Sequence, residues 1–391
     1  MSVPGPAPPL VIANVRVIAS PEADPIENAT VVVREGRIEY AGADRPSPSG
    51  VPVLDGHGGT VVAGFWNAHV HFTEPKWATL SRRSPQWVNE QLAEMLTSRG
   101  FTTVVDCGSD YRHTLPLRDR IQRGDLLGPR IYTAGSPLYP PAGIPYYVRD
   151  SIPWYLRWVL PKPATPAAAA RAVRRSLRRG MDVVKLFTGS YVDRGKVLPM
   201  DEAVARAAVG AAHQEGRLVF AHPSDREGVR VAVRAGVDVL AHAPDATEGV
   251  DDALLAEAAE RKMVMTPTLK MFATTVTTDP AYLAPIYDVV RRFRGAGGRL
   301  MFGTDVGYMS DYSTLGEFEG LRQCGVEWRE VLRMLTVTPC ALFGVADRGT
   351  VAPGMVADLV VLGADPARDL TALSNVRATI RAGRVLWTTA G

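Results

Sequence analysis

Two hydrophobic rhythms follow one another along the chain. From Leu10 to Val62 the apolar positions come in short β-like runs, Leu10–Val17, Thr30–Val33 and Arg37–Gly42, with Glu35-Gly36 as a hairpin turn between the last two. After Gly64, strand-like runs of four to seven residues alternate with longer stretches of helical period, the pattern of a parallel sheet built from βα units. Eight such runs occur: Thr60–Ala68, Thr102–Cys107, Arg130–Ala134, Asp182–Phe187, Leu218–His222, Val237–His242, Met263–Pro267 and Leu300–Asp305. Helices are predicted between them at Gln86–Arg99, Ala167–Arg179, Asp201–Glu215, Arg226–Ala235, Asp251–Arg261 and Ala281–Arg294. Two more, Leu315–Cys324 and Trp328–Leu342, precede a return to β-like runs at Gly349–Met355, Asp358–Leu362 and Val376–Val385. Eight βα units in about 250 residues are the size of one (β/α)8 barrel. The predicted class is therefore α/β: a (β/α)8 TIM barrel over residues 63–346, and a small β-sandwich composed of residues 1–62 and 347–391. The Pro-rich stretches Pro46–Pro52 and Pro161–Pro166 read as linkers or loops.

The strand Thr60–Ala68 runs straight into His69-Val70-His71. Side chains two apart on a strand project to one face, so both imidazoles can point at one metal ion. The apolar run before them indicates a strand covered on both faces, and Thr73-Glu74-Pro75 ends it. The histidines thus sit at a strand's carboxyl end, where barrel enzymes keep their chemistry.

A lone His-x-His is a weak signal, and its neighbours sharpen it. Of seven histidines, four fall at carboxyl ends of predicted strands: His69, His71, His222 and His242. Asp305 ends the eighth strand, and Lys185 lies inside the fourth. Singly, His222 and His242 read as core or rim histidines and Asp305 as a turn aspartate. Lys185 is harder to dismiss, because an unpaired ammonium in a buried strand is costly and shifts toward the neutral amine. A neutral amine can react with carbon dioxide to give a carbamate, whose two oxygens can bridge two metal ions. One metal site explains all six positions together.

These motifs, with Gly349-Thr350-Val351-Ala352-Pro353-Gly354-Met355 and Asp358–Leu362 as the return to the β-rich end, resemble the amidohydrolase superfamily. The resemblance is to its binuclear metal-dependent branch, which includes Xaa-Pro dipeptidase and imidazolonepropionase-like proteins. It implies two divalent ions, zinc foremost. His69, His71 and Asp305 would hold one ion, His222 and His242 the other, and a carboxylated Lys185 would bridge them. Where peptidase members carry a Gly-Gly-His type segment, this chain has Ser136–Tyr147, which argues against dipeptidase specificity.

The expected activity is metal-dependent hydrolysis of an amide or cyclic amide C–N bond by a hydroxide held between the ions, with Asp305 as catalytic base and then acid. Expected substrates are N-acyl amino acids, dipeptide-like molecules or heterocycles with an apolar or aromatic group. The alternatives are a lactonase, phosphotriesterase or carbamate hydrolase using the same site, and a non-catalytic scaffold or binding protein. Candidate substrate contacts are His113, Tyr146, Tyr147, Lys270 and Tyr308. The aromatic loop from Tyr139 to Trp158 reads either as a lid or as an interface.

Composition narrows the partners. With 44 basic and 41 acidic side chains the formal charge is only +3, which gives no case for nucleic acid. The run Arg171, Arg174, Arg175, Arg178 and Arg179 has the spacing of a solvated helix face. Cys107, Cys324 and Cys340 lack CxxC spacing and suit a reducing compartment. Met1–Pro9 lacks the charged and apolar regions of a secretory signal, and no apolar run nears the ~18 residues of a membrane span. A cytoplasmic protein with a small-molecule substrate, free of nucleic acid and membrane, is expected, with homo-oligomerisation open. Nucleophile-elbow, phosphate-loop and dinucleotide fingerprints are missing.

Overall fold

Eight parallel strands form the centre of the computed structural model, which describes residues 7–43, 45 and 49–389. Residues 1–6, 44, 46–48 and 390–391 lie outside the described residues, and with them the first three residues of the Pro46–Pro52 linker. The strands fall into two sheets. Phe65–Val70, Phe101–Asp106 and Arg130–Thr133 make a sheet of three. Val184–Phe187, Val219–His222, Val239–Ala241, Val264–Thr266 and Arg299–Leu300 make a sheet of five.

Among the described residues no strand ladder joins the sheets, but backbone hydrogen bonds cross both seams. At one, Ala68 N donates to Phe302 O at 2.8 Å and Asp305 N to His69 O at 2.9 Å. At the other, Asp182 N donates to Thr133 O at 2.8 Å and Leu138 N to Lys185 O at 2.9 Å. The eighth predicted strand is accordingly short, pairing only at Arg299–Leu300. Beyond it Gly303 passes so close to the first strand that a Cβ there would lie 2.9 Å from His69 Cβ, and Asp305 turns to φ +60°.

The helices follow the predicted periodicity because their starts are capped. Ser84, Thr165, Asp201, Asp225, Asp251 and Asp279 each accept a backbone N–H of the first turn. The stretch Trp328–Leu342 differs: it breaks at Thr336 into Trp328–Leu335 and Val337–Leu342. Pro339 has no N–H to return to Leu335, so the helix cannot run through. A hairpin of Gly189–Asp193 and Lys196–Pro199, and a helix at Tyr111–Gln122, are further elements that periodicity did not indicate. No described helix is long and apolar enough to cross a membrane.

Both chain ends meet in one sheet of seven strands. Its order is Arg384–Thr388, Val376–Arg381, Leu359–Leu362, Val53–Ala63, Leu10–Val17, Ile26–Arg34 and Arg37–Ala43. The two ends were expected to pair into one small β-sandwich; they do pair, and the hydrogen bonding runs unbroken through all seven strands. Val53–Ala63 pairs on both sides, parallel to Leu10–Val17 and antiparallel to Leu359–Leu362. Alternation divides this sheet's apolar residues. Ile12, Val31, Val61, Val361 and Ile380 form a core of its own, whereas Val62, Val360 and Leu362 join the core of the eight-stranded part. The Gly349–Met355 run is not a strand, because Gly354 at φ +87° turns it.

Asp358 rivets the two parts together. Its carbonyl accepts Gly64 N at 2.8 Å, and its buried carboxylate accepts Ala382 N at 2.7 Å and lies 3.4 Å from Arg130 Nη1. Asp358→Ala keeps the backbone bond to Gly64 but would orphan Ala382 N and the Arg130 guanidinium, and we expect a loss of about 3 kcal/mol in unfolding free energy by urea titration.

Candidate metal centre

Five strands each deliver part of one cluster, Lys185 from inside its strand and the others at or just past the carboxyl end. Phe65–Val70 carries His69 and leads into His71, Val184–Phe187 carries Lys185, and Val219–His222 ends on His222. Val239–Ala241 hands on to His242, and the segment after Arg299–Leu300 reaches Asp305. The imidazoles pack closely, with centroids 5.2 Å apart for His69 and His71, 4.4 Å for His69 and His242, and 4.5 Å for His222 and His242. Asp305 Oδ1 lies 2.9 Å from His71 Nε2 and 3.3 Å from His69 Nε2. Ligand atoms of His69, His242 and Asp305 all fall within 4.8 Å of one another.

Only a protonated His71 could donate to Asp305 at this distance. Asp305 Oδ1 and both ring nitrogens of His69 are buried without a hydrogen-bond partner. Each such group is destabilising by ~1–3 kcal/mol unless something else satisfies it. Lone pairs that converge yet avoid each other's protons are what a divalent cation requires, so the donor set fits a metal.

Protonation is set the same way. Burial, reinforced by the Lys185 charge, holds His69 and His222 well below the usual imidazole range; burial and the neighbouring imidazoles do so for His242. Burial also lowers the Lys185 ammonium. At His71 burial is outweighed by the Asp305 carboxylate, and its pKa is raised. Neutral imidazoles and an amine nearer neutrality are the forms that ligate.

Neighbours not singled out by sequence fix which nitrogen is offered. His71 Nδ1 lies 2.7 Å from Gly108 O, so it carries the proton and leaves Nε2 as the acceptor. His242 Nδ1 lies 2.7 Å from Thr268 Oγ1, whose own proton goes to Pro267 O, so again Nε2 is free. Asn67, fully buried, accepts His69 N and Thr304 N at 3.2 Å each and donates to Thr304 Oγ1 at 2.7 Å. It ties the strand bearing the first ligands to the residue before Asp305. Asp305, His242 and Thr268 all have φ in the range +50° to +150°, a local strain concentrated at this centre.

The sequence profile of the amidohydrolase family matches residues 60–386. The chain belongs to the amidohydrolase family. It is accordingly a metal-dependent hydrolase of the kind that acts on carbon–nitrogen bonds. An uncharacterized protein of Mycobacterium tuberculosis is 28% identical to this amidohydrolase over 338 residues, 82% of this chain and 81% of the relative. A Xaa-Pro dipeptidase solved with methionine in its active site superposes with a TM-score of 0.82 at 22% identity, covering 97% of this chain and all of that one. The ochratoxinase of Aspergillus niger superposes with a TM-score of 0.75 at 20% identity, over 98% of this chain and 96% of that one. These likenesses imply a TIM barrel with an added β-rich domain.

The amidohydrolase cluster does not gather every candidate substrate contact. Tyr147 packs on Tyr146 and Tyr308 at centroid distances of 5.4 and 5.8 Å. Burial raises the Tyr147 phenol well above its usual range, and Tyr308, Tyr139, Asp305 and Asp245 add to the shift. His113, by contrast, lies on the Tyr111–Gln122 helix, 4.0 Å from Asp110. Lys270 is buried, its ammonium shared among Asp311 O at 2.8 Å, Ser313 O at 2.5 Å and Asp311 Oδ2 at 2.9 Å. That lysine holds the loop following Asp305, and among the described residues no contact joins His113 or Lys270 to the cluster. Behind Lys270, the fully buried Glu317 accepts Lys270 N at 2.8 Å, and burial pushes its carboxyl up to about 8 from the usual 4.5. The folded chain therefore holds a proton on Glu317 that the unfolded chain has lost between those values, so this group lowers stability as pH rises through that window. Glu317→Gln should flatten that decline, read as urea midpoints below pH ~5 and above pH ~8.

Proposed function

We propose that this amidohydrolase hydrolyses the amide or cyclic amide bond of a small molecule at a binuclear divalent-metal centre. The observation that supports this reading is the convergence of His69, His242 and Asp305, with lone pairs of His69 and Asp305 left unpaired, His71 and His222 packed against them, and Lys185 Nζ 3.4 Å from the carbonyl of Ala241, the residue before His242. In this reading His69, His71 and Asp305 hold one ion and His222 and His242 the other, with Lys185 bridging as its carbamate. Nitrogen and oxygen donors of this kind suit zinc. Bound there, the ions supply a polarised scissile carbonyl and a water acidic enough to ionise near neutral pH.

The chain's own residues do the rest. Asp305 takes the proton from the attacking water and returns it to the leaving nitrogen, which then departs as an amine. Gly108 and Thr268 keep the Nε2 atoms of His71 and His242 unprotonated. Tyr147 and Tyr146 form an aromatic wall for an apolar or aromatic substrate group, with Tyr308 at its solvent side.

Residues 63–346 are read as the catalytic unit, and residues 1–62 with 347–391 as the β-rich unit. The free, buried thiols of Cys107, Cys324 and Cys340 suit a cytoplasmic setting.

Elemental analysis of protein expressed with zinc should find two ions per chain, falling to one or none in Lys185→Ala; an unchanged count in that variant would remove Lys185 from the site. Asp305→Asn should retain metal and lose about a thousandfold or more in kcat on any amide the parent turns over, since it removes the acid–base group. Near-parental kcat there would assign the proton transfer elsewhere.

A further inference from the structure

We propose that Asp245, held by Tyr191 and Tyr282, forms a recognition site beside the metal centre for a cationic, ammonium- or guanidinium-bearing end of the substrate. This rests on the hydrolase reading above and narrows its substrate class.

The strands that carry Lys185, His222 and His242 all continue into this second site. Asp245 follows His242 by three residues, and its N–H and that of Ala246 both donate to Ser224 O at 3.0 Å, two residues beyond His222. Tyr191 lies on the Gly189–Asp193 strand that extends from the Lys185 strand, and Tyr282 comes from the first turn of the Pro280–Gly295 helix. Their hydroxyls donate to one atom, Asp245 Oδ2, at 3.0 and 2.9 Å. With both lone pairs of Oδ2 engaged by the phenols, Oδ1 is the oxygen to which no described side chain donates. The carboxylate is half-buried, so its charge is only partly screened.

The nearby cations point the same way, because they are already engaged. Lys270 is saturated by Asp311 and Ser313; Arg112 is bidentate on Asp110; Lys76 donates to Tyr312 at 2.6 Å. Arg149 is held by Val192 O and Asp150. Arg194 and Lys196 are exposed at the turn end of the hairpin, away from its base at Gly189 and Pro199. A substrate carboxylate would find no uncommitted cation among these groups except at the exposed hairpin turn, whereas an ammonium finds Asp245.

The test is calorimetric binding to the metal-loaded protein of phenylethylguanidinium and of phenylethylurea, its neutral isostere, neither of which needs to be hydrolysed. The guanidinium should bind about tenfold tighter, the scale of one partly buried charge-assisted contact. That preference should vanish in Asp245→Asn, and in Asp245→Ser, whose hydroxyl still accepts from the tyrosines should the amide variant not fold. Equal or tighter binding of the urea, no binding of either, or a preference that survives both variants overturns the assignment. Failure of the hydrolase reading is separately visible, as missing metal or as no turnover of any amide by protein that binds the guanidinium.

Discussion

Everything in this structure answers to one electrostatic constraint: several lone pairs aimed at a common point inside a low-dielectric interior. Without a cation such an arrangement is unfavourable twice over, through lost hydration and through mutual repulsion of the acceptors. It persists only because the surrounding chain over-determines it. Gly108 and Thr268 fix ring orientation, Asn67 staples the first strand to Thr304, and the loop beyond Asp305 is pinned by Lys270. None of those residues is a proposed ligand, yet each sets where a ligand atom points.

The legible part of this architecture was the part that repeats. Period-two placement put His69 and His71 on one face, and the βα rhythm placed His222, His242 and Asp305 at strand ends. Helical period made the helix positions readable. What was hidden depends on long-range packing. Lys270 looked like a ligand for an anion because its sequence neighbours do not reveal Asp311 and Ser313, some forty positions away. Asn67 looked like part of an apolar strand, and Thr268 like a loop residue. The hairpin at 189–199 carries an Arg194-Gly195 turn signal that is weak beside the strands flanking it. The eighth strand was overcalled because its composition is β-like while Gly303 and Asp305 bend it out of the ladder.

The two halves of the binding region follow different physical rules. The metal cluster demands neutral imidazoles and dry surroundings, so it sits at the strand ends, deeply packed. The tyrosine wall and Asp245 sit further out, half-exposed, on connections free to differ between relatives that share the same centre. This division is why a family can be assigned from strands while a substrate must be argued from loops.

The Asn67–Thr304 staple has a consequence for how the molecule is made. Its hydrogen bonds span 237 positions, so they belong to the contacts of highest sequence separation in the chain, and such contacts form late. His69 and Asp305 stand 3.3 Å apart only because the two ends of the eight-stranded part meet there, so the geometry of the cluster depends on one of the most distant pairings in this part of the chain.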